Sequence, residues 1–167
     1  INRFNYDISE IGHMDYVTGA LAYHLVKSPK VLIAGLSGGE NILRALYFNS
    51  EKIDVVETNP QIVELLKKEY NNFSGNIYDL PTIKIYVGNL RNFLIKTKNL
   101  YNVIFIPPEN SSAMSSVGFE SVNVSNLFTV EAIKVYLDKL KTNGILSITS
   151  WIKIPPRNSL KLFATII

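Results

Sequence analysis

Cysteine is absent from the 167-residue chain, and histidine occurs only twice, at His13 and His24. The first absence excludes disulfides, thiolate metal sites and thiol nucleophiles, and it leaves the redox compartment open. The second leaves too few imidazoles for a His-rich centre, so no metal is expected. No stretch approaches the ~18 uninterrupted apolar residues that would cross a bilayer. Residues 1–6 lack the basic-then-apolar order of a secretory signal. They begin with Ile1 rather than methionine, so the expectation is a soluble piece of a longer chain. A strong charge of one sign is missing as well. There are 17 Lys+Arg against 14 Asp+Glu, a net charge of +3, which gives no ground for a nucleic-acid partner. What is present, 47% hydrophobic and 19% charged residues, is a globular composition. The length suits a single domain, residues 1–167, that buries roughly two thirds of its unfolded surface.

Neither repeats nor a linker divide the chain. A short apolar run followed by a helical pattern recurs along it. Val31-Leu32-Ile33-Ala34 precedes a helical pattern over 41–48, and Ile53-Asp54-Val55-Val56 precedes one over 60–70. In the latter, Pro60 suits the first turn, and Ile62, Val63, Leu65 and Leu66 are expected to form one buried face. Ile83–Val87 precedes Leu90–Lys96. Residues 103–106 lead through a polar stretch, 107–126, to a helix over 130–140. Asn143-Gly144 reads as the left-handed cap ending that helix, with a fifth strand over 145–149. Helical patterns also precede the first strand, over 16–26, and follow Pro155-Pro156, over 158–167. Strands alternating with helices predict an α/β fold with a doubly wound, mainly parallel sheet and right-handed crossovers. Such a sheet usually carries one or two strands more, so the last strands are expected to be missing.

The first strand runs directly into Gly35-Leu36-Ser37-Gly38-Gly39. In an open α/β sheet, ligands sit beyond the carboxyl ends of the strands, where the strand order reverses. Glycines there let a ligand approach the backbone, and the next helix offers free N–H groups. Glu57, at the end of the second strand, can accept hydrogen bonds from both hydroxyls of a ribose, at roughly 1.5–3 kcal/mol each. A dinucleotide turn would need glycine at 37 and 40, where Ser37 and Glu40 stand, and the Gly-Lys-Ser/Thr of a P-loop is absent. With no Lys or Arg beside the turn, a ligand with a ribose and no phosphates fits best, S-adenosylmethionine being the common one. The competing structural reading is a tight strand-to-helix turn with Glu57 at the surface. Gly35–Gly39 also satisfies the G-x-S-x-G elbow of hydrolases. That chemistry needs a histidine downstream of Ser37, and both histidines lie upstream.

Four segments resemble successive motifs of class I S-adenosylmethionine-dependent methyltransferases. They are Val-Leu-Ile-Ala-Gly-Leu-Ser-Gly-Gly-Glu (31–40), Val-Val-Glu-Thr-Asn-Pro (55–60), Gly-Asn-Leu-Arg-Asn-Phe-Leu (88–94) and Tyr-Asn-Val-Ile-Phe (101–105). More narrowly the chain resembles the spermidine synthase-like, or polyamine aminopropyltransferase-like, branch of that superfamily. Leu127-Phe128-Thr129-Val130-Glu131-Ala132, Asn143-Gly144-Ile145-Leu146 and the stretch from Ser150-Trp151 to Leu160 add to this. The last resembles a subgroup of homologues attached to membrane spans. The resemblance implies a Rossmann-like fold that binds S-adenosylmethionine or decarboxylated S-adenosylmethionine and transfers an aminopropyl or methyl group to an amine such as a polyamine. It implies a cytoplasmic domain, tethered to a membrane where the longer protein carries spans, and allows a homodimer. Carried over by position, Gly35, Ser37, Gly38 and Gly39 would wrap the methionine and ribose side of the ligand. Glu57 would hold the ribose, Thr58 and Asn89 would meet the adenine, and Leu90 and Pro107 would complete the site.

Three positions depart from the family pattern. Ser37 replaces a glycine, and Asn89 replaces an aspartate. At the end of the fourth strand, where spermidine synthases carry Asp-x-x-Asp-Pro to deprotonate the attacking amine, the chain reads Pro107-Pro108-Glu109-Asn110. Glu109 is the only nearby acid, and 111–125 adds only Glu120. An alternative is therefore a degenerate, non-catalytic domain that senses or packs, as the soluble part of a membrane protein. The remaining singular residues have plainer readings. Asp15 and Tyr16 could roof the pocket; Tyr23 and His24 suit packing or surface, Trp151 suits core or substrate contact, and Lys153, Arg157 and Lys161 suit a solvated face.

Overall fold

The computed structural model describes residues 3–5, 7–108, 127–150 and 154–166. Five parallel strands form one sheet in the order β3-β2-β1-β4-β5. They are β1 (Lys30–Ala34), β2 (Lys52–Glu57), β3 (Ile83–Val87), β4 (Tyr101–Ile106) and β5 (Leu140–Ile148). The helices are α1 (Leu21–His24), α2 (Glu40–Tyr47), α3 (Pro60–Lys68), α4 (Leu90–Lys96), α5 (Val130–Asp138) and α6 (Arg157–Ile166). The expected α/β architecture is present, and the strand order reverses between β1 and β4, beside the glycine turn.

Alternation along the strands sends side chains to two separate cores. Val31, Ile33, Ile53, Val55 and Phe105 pack with Ile42 and Leu43 of α2 and Leu66 of α3. Leu32, Val56, Ile104 and Ile106 pack with Leu90 and Leu94 of α4 and Ala132, Ile133 and Tyr136 of α5. Because β1 and β4 are covered on both faces, they read as continuous apolar runs rather than alternating ones. Helix starts follow from local chemistry. The side chains of Asn59, Asn89 and Thr129 each accept from a backbone N–H in the first turn of the helix that follows.

Four expectations change. The helix expected over 16–26 is instead a 3-10 segment (Ile8–Tyr16), a second 3-10 turn (Thr18–Ala20) and the single turn of α1. On α3, Leu66 is buried and Val63 packs against the core, whereas Ile62 and Leu65 are exposed, so the buried stripe is narrower than its apolar pattern. α5 stops at Asp138, and β5 starts at Leu140, where the N–H of Tyr101 donates to the carbonyl of Lys139 at 2.9 Å. Asn143 does adopt a left-handed φ of +62°, but inside β5. There the register with β4 jumps from Tyr101–Leu140 to Val103–Ile145. The residue makes a bulge, not a helix cap.

A carboxyl group lies deep inside the sheet. Asp54 is fully buried on β2, and its Oδ2 accepts from the Tyr101 hydroxyl at 2.8 Å, with Lys52 Nζ at 3.6 Å. Burial, then the bond to Asp54, holds the Tyr101 hydroxyl far above its ordinary pKa, so it stays a donor. Tyr101→Phe removes that donor and is expected to cost about 1.5–3 kcal/mol in urea unfolding, whereas substitutions at exposed Tyr70 stay within about 0.5 kcal/mol.

Candidate functional site

The turn after β1 puts four residues in the left-handed region, with Leu36 right-handed between the first two. Gly35, Ser37, Gly38 and Gly39 have φ of +85°, +45°, +67° and +94°. Ser37 is the only one of the four with a side chain, and that side chain is exposed. At Gly39 the demand for glycine comes from below. A Cβ would stand 2.7 Å from the Tyr78 hydroxyl and 3.3 Å from Ile77 Cδ1. At Gly35 the space is open, the nearest atom being Glu57 Oε2 at 3.8 Å.

Glu57 joins this turn to the next. It is 7% exposed, so the reading that left it at the surface does not hold. Its Oε2 accepts from the Leu36 N–H at 2.9 Å, and its Oε1 accepts from the Asn59 N–H at 2.9 Å, with the Thr58 hydroxyl at 3.4 Å. Backbone bonds extend the lattice. The Gly35 N–H donates to the Val56 carbonyl, and the Gly88 N–H donates to the Glu57 carbonyl, both at 2.8 Å. One carboxylate therefore fixes the loops after β1 and β2, and its peptide carbonyl ties in the loop after β3. Each carboxylate oxygen accepts two hydrogen bonds. Oε2 retains a lone pair beyond its contact with Leu36.

The remaining predicted residues divide. Thr58 is exposed beside Glu57. Asn89 stands at the end of β3, but its Oδ1 accepts from the Arg91 and Asn92 N–H groups at 2.9 and 3.3 Å. The oxygen expected to meet an adenine amino group thus caps α4, and its Nδ2 is the part left for a ligand. Leu90 points its side chain into the core between the sheet and α4, so only its backbone faces the turns. Pro107 follows β4 and is half-buried. Glu109, Asn110, Glu120, Trp151 and Lys153 lie outside the described residues. Tyr23 packs in the core against Phe48, while Tyr16 is exposed. A groove of about 700 Å³ opens beside Asn89 and runs along α4 past Tyr86 and Phe93 to Lys96, and none of the glycine-turn residues lines it.

Sequence reasoning missed Gly88, Tyr78 and Gly19. Gly88 carried a readable signal, since a glycine directly after a strand marks a backbone conformation that side chains rarely adopt, here a φ of +152°. The other two are defined by contacts distant in sequence.

Residues 8–154 match the spermine/spermidine synthase domain. The chain belongs to that family. Over 125 residues it is 30% identical to a polyamine aminopropyltransferase of Prochlorococcus marinus (strain MIT 9312), covering 74% of this chain and 41% of that protein. It thus spans about two fifths of the length of that curated relative. Among solved structures, spermidine synthase from Thermotoga maritima superposes with a TM-score of 0.65 at 21% identity, covering 94% of this chain and 50% of the other. Human methyltransferase-like protein 13, in complex with SAH, superposes with a TM-score of 0.62 at 17% identity, covering 92% and 70%. Both show the methyltransferase fold expected from the motifs. Among the described residues no helix is long and apolar enough to cross a membrane.

Proposed function

We propose that this domain binds S-adenosylmethionine or decarboxylated S-adenosylmethionine and transfers an aminopropyl or methyl group to a small amine of the polyamine class. The observation that carries the reading is Glu57. It is a buried carboxylate locked by two backbone N–H groups at the switch point, with acceptor capacity left over for a ribose. The unobstructed face of Gly35 supports a ligand lying against the backbone there. In such a transfer the amine lone pair forms a bond to the carbon beside the sulfonium. The carbon–sulfur bond breaks, its electron pair leaves on a neutral thioether, and the amine gives up a proton. The carbon is already electrophilic, so the protein's contribution is alignment. The described residues place no carboxylate at the end of β4, and none of them is assigned as the base for that proton.

Calorimetric titration with S-adenosylmethionine, decarboxylated S-adenosylmethionine and methylthioadenosine tests this. Micromolar binding that favours the decarboxylated compound supports aminopropyl transfer, and preference for the parent compound supports methyl transfer. No heat from any of the three, in a folded chain, rejects the proposal. Ser37→Gly removes the one side chain among the four left-handed residues. It is expected to tighten the preferred ligand about fivefold, or ~1 kcal/mol, in the same titration.

A further inference from the structure

Three elements, one of them the helix that follows the glycine turn, meet on a side chain that the proposed chemistry leaves unused. Arg44, in the second turn of α2, is 4% exposed, a rare burial for arginine. Its Nη1 donates to Asn41 Oδ1 at 3.0 Å and its Nη2 to Glu40 Oε1 at 2.8 Å. Both acceptors sit in the first turn of α2, directly after Gly39. The guanidinium carbon lies 5.3 Å from the centroid of the Phe105 ring, near the end of β4 and two residues before Pro107. Gly19, in the turn before α1, comes so close that a Cβ there would stand 2.5 Å from Nη1 and 2.9 Å from Phe105 Cζ.

Filling space does not require arginine at this place. Its burial forfeits hydration, its carboxylate partner Glu40 is 48% exposed, and its Nε has no hydrogen-bond partner among the described residues. What arginine supplies is a plane whose orientation two hydrogen bonds fix, and against which both the Phe105 ring and the Gly19 backbone are fitted.

We propose that Arg44 is a positioning residue. Its guanidinium sets the spacing between the glycine turn, the end of β4 and the turn Thr18–Ala20, and so the width of the mouth that the ligand enters. The consequence for binding rests on the functional reading above, whereas the positioning is visible without ligand. Amide hydrogen exchange of the unligated protein, melting temperature and the titrations above, on wild type, Arg44→Met and Gly19→Ala, separate the two. Arg44→Met is expected to keep or raise the melting temperature. Exchange at 36–41 and 105–106 should become about tenfold faster, with S-adenosylmethionine bound about tenfold more weakly. Gly19→Ala alone should produce the same local pattern and add less than its full effect to Arg44→Met, because the Nη1 it strikes is gone while the 2.9 Å approach to Phe105 Cζ remains. Should Arg44→Met not fold, Arg44→Lys, which keeps the charge without the fork, carries the same expectation. Wild-type exchange in these segments overturns the proposal. So does acceleration spread evenly over the chain in step with a lower melting temperature. If the wild type binds no S-adenosyl compound the functional reading fails, and the exchange pattern still decides for or against Arg44.

Discussion

Replacing Glu57 by alanine is expected to lower the unfolding free energy by about 3–6 kcal/mol and to abolish binding of any ribose-bearing ligand. The range is that of two hydrogen bonds to a charged acceptor at roughly 1.5–3 kcal/mol each. The substitution leaves the Leu36 and Asn59 amides without their acceptor, the first of them buried. Glu57→Gln is the informative companion. A carboxamide keeps one accepting oxygen but turns an NH2 toward the other amide, so about half the loss should remain. Urea unfolding gives the stability, and calorimetry on whatever stays folded gives the binding. A stability change under about 1 kcal/mol for Glu57→Ala would mean that the two turns hold each other without this carboxylate.

Gly39→Ala should have the second-largest effect, about 2–5 kcal/mol. A left-handed backbone with a Cβ costs roughly 1–2 kcal/mol, and overpacking of a filled core costs roughly 1–3 kcal/mol. The φ of +94° and the 2.7 Å approach to the Tyr78 hydroxyl bring both into play at one residue. Tyr78→Phe in the same chain removes the nearest obstacle and leaves the ring carbon at 3.5 Å, an ordinary contact. It should restore roughly the overpacking share and none of the backbone share. Thermal unfolding of the two single variants and the double variant checks this. Simple additivity would show that Tyr78 is not what excludes a side chain at Gly39.

What could be read from the sequence followed from how each element is buried. β1 and β4 lie between both cores, so their runs are apolar throughout and unmistakable, and Pro60 marked the first turn of α3. The glycine turn and Glu57 were legible as a candidate site because the strand ends that place them were legible. Their partnership was not, since nothing in the residue order says that Glu57 reaches back 21 residues to Leu36. Asn89 shows a competition between readings. An asparagine before a helical run signals a cap as well as an adenine contact, and the cap takes its oxygen. The N-terminal segment misled because its apolar residues pack through tight 3-10 turns around Gly19. A helical period does not predict the steric reason for those turns.

The strand order also fixes a sequence of events in time. The Leu36–Glu57 bond closes a loop of 21 residues, while β1 meets β4 across a separation such as the 72 residues between Lys30 and Asn102. Closure entropy rises with loop length, and pairings distant in sequence form late. During folding, the two turns bound by Glu57 can assemble on β1 and β2 while β4 is still unpaired. Phe105 and the contact it makes with Arg44 then come after the Glu57 lattice, so the two turns of the candidate site are joined before the core on the α2 side is filled.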